Sequence, residues 1–374
     1  METFLTLIEG AKGTNIAEFT NHTITFVIWL NFGLISLTIL ILLIVIYYRL
    51  RSILREHRRN AFAAVWQPLL EHCIYELPDS LPPLPTRDLI NFLLLWNMMQ
   101  ENLRGEVREN LNFMARWLNI DSRIKNKMKT ANLYEQLLYI NTGGLMRSAV
   151  LWDVLEDILL ANRQQVLALA AAKALVRIND KRAAGVIIPL VAVHTEWPLS
   201  AVASIISQIR PAYVTETLQD VIVRMPEPMI LRMTRYLQFA TKEAAIAMAI
   251  DIIGKYDNDN LTAACINVLG ELDHGEHLEL VRSFAHHNNW VIRLQAVMAL
   301  GKLGTADDVP LLVDMLSDHE WWIRHRAAQS LATLPFIDHT FLEDTIAQLT
   351  DKYAIEALQQ AVVEKMAIEK AIAG

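Results

Sequence analysis

The chain has 374 residues, of which 53% are hydrophobic and 20% charged, and its formal net charge is -7. The acidic balance argues against nucleic-acid binding, and two cysteines exclude a disulfide framework and an all-cysteine zinc site. Glycine (13) and proline (12) are few for this length, which favours long helices with short connections over an all-β fold.

The first predicted element is a membrane-spanning helix at residues 24–48, a segment without any charged side chain. In a helix these 25 residues extend roughly 37 Å, enough to cross a bilayer with some tilt. Trp29 lies near one end and Tyr47 and Tyr48 lie at the other, as aromatic residues do at membrane interfaces. The acidic start and the long apolar run favour an anchor over a cleaved signal peptide.

A basic neck at residues 49–59 follows the span. Because the short tail at residues 1–23 is acidic, the positive-inside rule predicts an extracytoplasmic tail and a cytoplasmic location for everything after the span. The same arginines can bind anionic lipid, each contributing about 1 kcal/mol near the membrane surface. The residues that carry this topology and lipid prediction are Arg49, Arg51, Arg55, Arg58 and Arg59.

Two polar residues of the span, Asn31 and Thr38, lie seven residues apart and share a helix face. Small and polar residues let membrane helices approach one another and form hydrogen bonds. These two residues are therefore candidates for contact with another membrane helix. A single helix also tolerates such residues, so both interpretations stay open.

Residues 60–130 form a predicted helical region on the cytoplasmic side. Apolar residues at helical spacing continue to about residue 77, and four prolines in residues 78–85 then break the helix. Helices are predicted to resume at 87–103, 106–118 and 133–140.

The rest of the chain, residues 131–374, is the predicted repeat region, and its sequence is periodic from about residue 163. A shift of 31 residues matches Trp290 with Trp321 and Arg293 with Arg324. Each unit holds an alanine-rich apolar helix and a shorter amphipathic helix, and a capping helix ends the array. This regular spacing predicts an α-solenoid with almost no sheet. The central apolar positions of the six units are 175, 206, 237, 269, 300 and 331.

The pattern W-x-x-R-x-x-A-x-x-x-L-x-x-L resembles the short HEAT-like repeats found in bilin lyases. Tetratricopeptide and ankyrin repeats have a similar length, but the sequence lacks their signatures. The resemblance implies a HEAT-like α-solenoid. Together with the span, it predicts an all-α chain in which a single N-terminal transmembrane helix precedes a cytoplasmic HEAT-like α-solenoid.

Four further segments outside the repeat pattern are distinctive: Trp66–Leu70 (WQPLL), Leu95–Asn97 (LWN), Asp351–Ala354 (DKYA) and Leu358–Glu364 (LQQAVVE). With these segments, the layout resembles a family of bacterial membrane-anchored proteins with HEAT-like repeats of the phycobilisome-lyase (PBS-lyase) type. Members of that family tend to be encoded beside membrane glycosyltransferases for surface polysaccharide. The resemblance therefore implies the bacterial inner membrane as the location, and a glycosyltransferase or polysaccharide assembly as the partner.

Aromatic and basic residues of the repeats are candidates for binding a partner protein, because Trp and Arg dominate interface hot spots. The alternative interpretation is structural: each arginine pairs with a loop acid such as Asp318, and the tryptophans cap the apolar core of the adjacent repeat. The candidate residues are Trp290, Arg293, Trp321, Trp322, Arg324 and Arg326.

No catalytic, cofactor-binding or metal-binding residue is predicted. A HEAT-repeat di-iron hydroxylase would need His-Glu pairs where this chain has Arg324-His325-Arg326. Four histidines, at positions 274, 277, 286 and 287, lack the spacing of a metal site. The predicted function is a non-enzymatic membrane-tethered scaffold or adaptor that binds a protein, without nucleic acid, small-molecule substrate or cofactor. The alternative is an enzyme of the HEAT-repeat bilin-lyase kind.

Overall fold

The computed structural model describes the backbone of residues 2–103 and 105–373. Among these residues, the side chains of 2–28, 55, 106 and 372–373 are outside the described part, so the prediction for the Arg55 side chain falls there too. The described residues form helices and their connections and contain no strand. This confirms the all-α prediction for that part of the chain.

The first of two compact units is Met1–Leu118. It contains α1 (Glu2–Cys73), α2 (Leu89–Asn102) and α3 (Glu106–Trp117). Because α1 is continuous, the tail, span and neck predicted as separate segments are parts of one helix. Within the described residues, α1 is the one helix that is long and apolar enough to cross a membrane. The side chains of residues 29–54 are exposed.

The core of the first unit lies at the C-terminal end of α1. Trp66 packs edge-to-face on Phe92 of α2, with ring centroids 5.2 Å apart. The indole N–H of Trp96 donates to the carbonyl of Leu111 in α3 over 3.1 Å, which satisfies the polar atom of a fully buried ring. The WQPLL and LWN segments therefore supply the core of this unit, through Trp66, Leu70, Trp96 and Asn97.

The second unit is Asn119–Gly374. It begins with α4 (Ile120–Lys127), a helix that the sequence did not predict, so the unit starts earlier than the expected boundary at residue 130. The helices that follow are α5 (Leu133–Met146), α6 (Trp152–Ala161), α7 (Gln165–Ile178), α8 (Asp180–Val193), α9 (Leu199–Ile206), α10 (Pro211–Arg224), α11 (Glu227–Thr234), α12 (Lys242–Lys255), α13 (Asp259–Leu272), α14 (Leu278–Ser283), α15 (Trp290–Leu303), α16 (Val309–Met315), α17 (Trp321–Thr333), α18 (His339–Gln348) and α19 (Lys352–Ala373).

These helices form two layers, as expected for a repeat array. Odd-numbered helices pack on successive odd-numbered helices from α5 to α9 and from α11 to α19. Even-numbered helices pack on the odd-numbered helices beside them. We call the odd-numbered set layer one and the even-numbered set layer two. Because a layer-two helix returns the chain between them, successive layer-one helices run in the same direction.

The six central positions predicted from the periodicity are all buried. Leu175, Leu269, Leu300 and Leu331 lie in layer-one helices, and each is fully buried. Leu237 is equally buried but lies in a short 3₁₀ turn, at residues 237–239, that follows α11. The sequence spacing therefore locates the core of each repeat, although the local helix type changes at one of them.

Two glycines of layer one allow neighbouring helices to approach closely. A Cβ atom at Gly270 of α13 would lie 2.8 Å from Cβ of Ala299, and one at Gly301 of α15 would lie 2.6 Å from Cβ of Ser330. The Ser330 hydroxyl in turn donates to the carbonyl of Val297 over 3.2 Å. The close approach thus joins α15 and α17 through both packing and a buried hydrogen bond.

Candidate protein-interaction surface

The predicted partner-binding tryptophans lie at one end of layer one. Trp290 is the first residue of α15, and Trp321 and Trp322 are the first two residues of α17. Since the layer-one helices run in the same direction, their N-termini lie along one edge of the array. Tyr353 lies there too, at the start of α19. We call Trp290, Trp321, Trp322, Arg324 and Tyr353 the tryptophan edge.

The indoles of this edge are partly exposed. The exposed fraction is 39% for Trp290, 50% for Trp321 and 52% for Trp322. Trp321 stacks on His325, with ring centroids 5.0 Å apart, and meets Trp322 edge-on at 4.6 Å. About half of each indole on α17 is thus open to solvent, and the structural interpretation, in which these rings cap a neighbouring core, applies to the covered half alone. Their ring contacts hold them in place while leaving half of their surface open.

Arg293 has the structural role that the alternative interpretation gave it. Its Nε and one terminal nitrogen bind both carboxylate oxygens of Asp318, at 2.9 and 3.0 Å, and both side chains are 6% exposed. Burial by itself raises the pKa of Asp318, but hydrogen bonds from Arg293 and from the backbone of Glu320 outweigh it and lower that pKa. Arg293 is therefore part of the loop packing and not of an exposed surface.

Arg326 lies at the surface of α17, and Arg324 is partly exposed there. Arg326 is exposed and donates to the side-chain oxygen of Gln329 over 2.8 Å. Arg324 is intermediate in exposure, and its guanidinium lies over the ring of Tyr353 at 5.4 Å from the centroid. Tyr353 was not predicted. The 31-residue shift could have identified this residue, because it matches Trp322 with Tyr353.

A groove of about 510 Å³ runs between α15, α17 and α19. Its walls carry both charges, since Lys302 and Arg326 face it together with Glu364 and Glu369. Hydrogen bonds from Gln360 and Gln329 lower the pKa of Glu364. The described carboxylates whose pKa is displaced are all held more acidic in this way, as groups in ion pairs and caps are: Asp180, Glu196, Asp273, Asp308, Asp318 and Glu364.

The cysteines and histidines have structural surroundings. Cys265 is fully buried in α13, as predicted, and burial raises the pKa of its thiol to about 12. His274 lies against the Lys242 amine, and His277 contacts the carboxylate of Asp273 at 3.3 Å. Among the described residues no cluster of three or more His, Cys, Asp or Glu side chains is placed to hold a metal ion.

The polar residues of the apolar segment of α1 are exposed in the structure. The hydroxyl of Thr38 donates to the carbonyl of Leu34 over 2.8 Å, so its hydrogen bond is satisfied within its own helix. Asn31 is exposed on the same face. Further along α1, four arginines of the neck are exposed: Arg49, Arg51, Arg58 and Arg59.

Comparison with known proteins supports the repeat assignment. The family described as HEAT repeats matches residues 246–332, which correspond to α12 through most of α17. No curated protein matches the sequence. A solved structure described as an engineered protein, a structural genomics target, is similar at 11% identity over 79% of this chain and 88% of that chain, with a TM-score of 0.34. The family match shows HEAT-like helical repeats within the second unit, at residues 246–332.

Proposed function

We propose that this protein is a membrane-tethered scaffold that binds a protein partner through the tryptophan edge of its HEAT-like array. HEAT repeats generally mediate protein–protein interaction and are typically not catalytic. The observation that carries the proposal is the Trp321–Trp322 pair, half exposed and held at the start of α17.

Two adjacent indoles expose apolar surface to water, which is unfavourable unless a partner covers it. Aromatic side chains bury a large area with little loss of conformational freedom, and Trp and Arg are the commonest hot-spot residues. The ring contacts of Trp321 with His325 and with Trp322 restrict both indoles before a partner arrives. Preorganised side chains lose less entropy on binding, which favours this site for recognition.

The tether is the apolar part of α1. Its length and exposed apolar side chains suit a bilayer, and the exposed arginines that follow suit the cytoplasmic surface. We propose a single pass in the bacterial inner membrane, with the N-terminus outside and the array in the cytoplasm. The arginines would also contact anionic lipid.

The client proposed for the array is a membrane glycosyltransferase or a surface-polysaccharide assembly. This assignment rests on the sequence resemblance, because the families with this layout tend to be encoded beside such enzymes. An anchor in the same membrane would raise the effective concentration of the array near that client. The alternative of a bilin-lyase enzyme gains no supporting contact among the described residues, and we do not propose it.

Site-specific photocrosslinking in native membranes tests the proposal. A photoreactive amino acid replaces Trp322 in the full chain, and a matched variant carries it at Val223, an exposed apolar position on α10 of layer two. We expect a discrete protein adduct from position 322 and none from position 223. The same adducts from both positions, or none from position 322, would contradict binding at the tryptophan edge.

A further inference from the structure

The repeat places two arginines, Arg293 and Arg324, in equivalent surroundings. One terminal nitrogen of Arg293 donates to the carbonyls of His287 and Asn288, at 2.8 and 3.0 Å. The same nitrogen of Arg324 donates to the carbonyls of Asp318 and His319, at 2.7 and 3.1 Å. Each acceptor in the second set follows its counterpart by 31 residues, so both guanidinium groups are held by the same backbone geometry.

The two arginines differ in what meets the rest of the guanidinium. At Arg293 the Nε and the other terminal nitrogen bind the two oxygens of Asp318. At Arg324 the Nε is buried and has no hydrogen-bond partner. No carboxylate in the described part of the chain forms an ion pair with Arg324. The donors that bind Asp318 in one repeat thus meet no carboxylate of the described residues in the next, and the Nε among them is buried.

The residue at the position of the acid explains the difference. Asp318 follows Arg293 by 25 residues, and the residue that follows Arg324 by 25 (349 minus 324) is Leu349. The repeat length does not change, since α15, α17 and α19 begin 31 residues apart, at 290, 321 and 352. Asp351 instead has the capping position of Asn289, because each accepts the backbone N–H two residues later, at 2.9 Å. A leucine thus stands where an acid would pair with Arg324.

We propose that Arg324 receives a carboxylate from the partner protein, an Asp or Glu side chain of an acidic segment that takes the place Asp318 occupies at Arg293. This inference rests on the proposed function and specifies that the segment of the partner that binds here is acidic. A guanidinium fork binds a carboxylate through two parallel charge-assisted hydrogen bonds, which gives direction as well as affinity. Trp321, Trp322 and Tyr353 surround the site with exposed aromatic surface for the neighbouring residues of that segment.

Binding of a fluorescent hexaglutamate peptide to the full chain in neutral-lipid nanodiscs tests the assignment. Fluorescence anisotropy compares the wild type with Arg324→Gln, which removes the fork but keeps the length of the side chain. We expect binding at least about tenfold weaker in Arg324→Gln, because two charge-assisted hydrogen bonds are lost. Both proteins also carry Arg→Gln at positions 49, 51, 55, 58 and 59, because the arginines of the neck would otherwise bind the peptide and mask a loss at Arg324.

Two controls sharpen the result. Arg326→Gln removes an exposed positive charge two residues away and is expected to weaken binding less than about threefold. Hexaglutamine and inorganic phosphate test whether binding requires a carboxylate group, and we expect both to bind more weakly than hexaglutamate.

Three outcomes would overturn the assignment. The first is equal affinity of wild type and Arg324→Gln for hexaglutamate, and the second is tighter binding of phosphate than of the peptide. The third is a gain of tenfold or more in Asp351→Asn, which would mean that Asp351 fills the site from within the chain. Each could occur while position 322 still crosslinks to a partner, so failure here is distinguishable from failure of the scaffold proposal.

Discussion

Leu300 and Lys302 lie two residues apart on α15 in opposite environments. Leu300 is fully buried at a central position of its repeat, whereas Lys302 is exposed and pairs with Glu271. We expect Leu300→Ala to lower the free energy of unfolding by about 2–5 kcal/mol, through lost burial and a cavity. Lys302→Ala should change it by less than about 1 kcal/mol. Similar losses in denaturant melts of the two variants would show that the repeat register is misplaced.

The Arg293–Asp318 pair predicts a pH dependence of stability. The folded protein holds the pKa of Asp318 below its ordinary value, so the carboxylate stabilises the fold at pH values above about 4, the pKa in the unfolded chain. That contribution is lost as the pH falls from about 4 through the lowered pKa. Asp318→Asn leaves Arg293 buried without its partner and should cost about 3–5 kcal/mol at neutral pH.

The measurement is the melting temperature of both proteins between pH 7 and pH 3. We expect the difference between wild type and Asp318→Asn to be largest at neutral pH and to shrink below pH 4. A difference that stays constant over this range would mean that the carboxylate charge does not stabilise the fold.

At the scale of single residues, the sequence predicted which apolar side chains are buried better than it predicted which arginines form ion pairs. The 31-residue spacing located Leu300 and its counterparts because a buried position recurs once in every repeat. Arg293 and Arg324 occupy the same position in that pattern, yet only Arg293 finds a carboxylate. The sequence carries the reason, since Asp318 follows Arg293 by 25 residues and Leu349 follows Arg324 by 25 (349 minus 324), but the pairing of an arginine with the acid of the next loop is a tertiary contact that becomes evident only in the structure.

Among the helices, the contact between α15 and α17 depends on a residue without a side chain. A Cβ at Gly301 would lie 2.6 Å from Cβ of Ser330 and 3.1 Å from its Cα. Gly301→Ala should therefore force the two helices apart and lower stability by about 1–3 kcal/mol.

Gly185 is the matched control for this substitution. It lies within α8 with nothing near its missing side chain, so Gly185→Ala should raise stability by about 0.5–1 kcal/mol through helix propensity. Thermal melts that rank the two variants in the opposite order would contradict the close packing of layer one.

The helices were predicted well where hydrophobic periodicity was strong and less well at their boundaries. The Pro-rich break at residues 78–85 correctly separates α1 from α2. The sequence did not predict the continuity of α1 through the neck. The composition changes there from apolar to basic, which marks a new segment in the sequence but does not interrupt a helix. The short helix α4 was also missed, since its eight residues carry too few apolar positions to show a period.

For the whole molecule, the first prediction is the direction in which α1 inserts into the membrane. The exposed arginines after the apolar segment of α1 outnumber the acidic residues there, which favours their retention in the cytoplasm. A reporter that is active only in the cytoplasm, fused after residue 374, should be active. An expressed fusion that lacks activity, paired with an active periplasmic reporter at the same position, would reverse the proposed topology.

The most direct test of the scaffold account is the yield of the crosslink from position 322 at native expression, compared among three proteins. These are the full chain, a chain that starts at residue 60, and a chain in which residues 24–48 are replaced by an unrelated membrane helix. We predict a discrete adduct with the full chain, a yield reduced about tenfold or more without the anchor, and recovery with the unrelated helix. Equal yields with and without the anchor, or no discrete adduct from any of the three, would contradict a membrane-tethered protein-binding array.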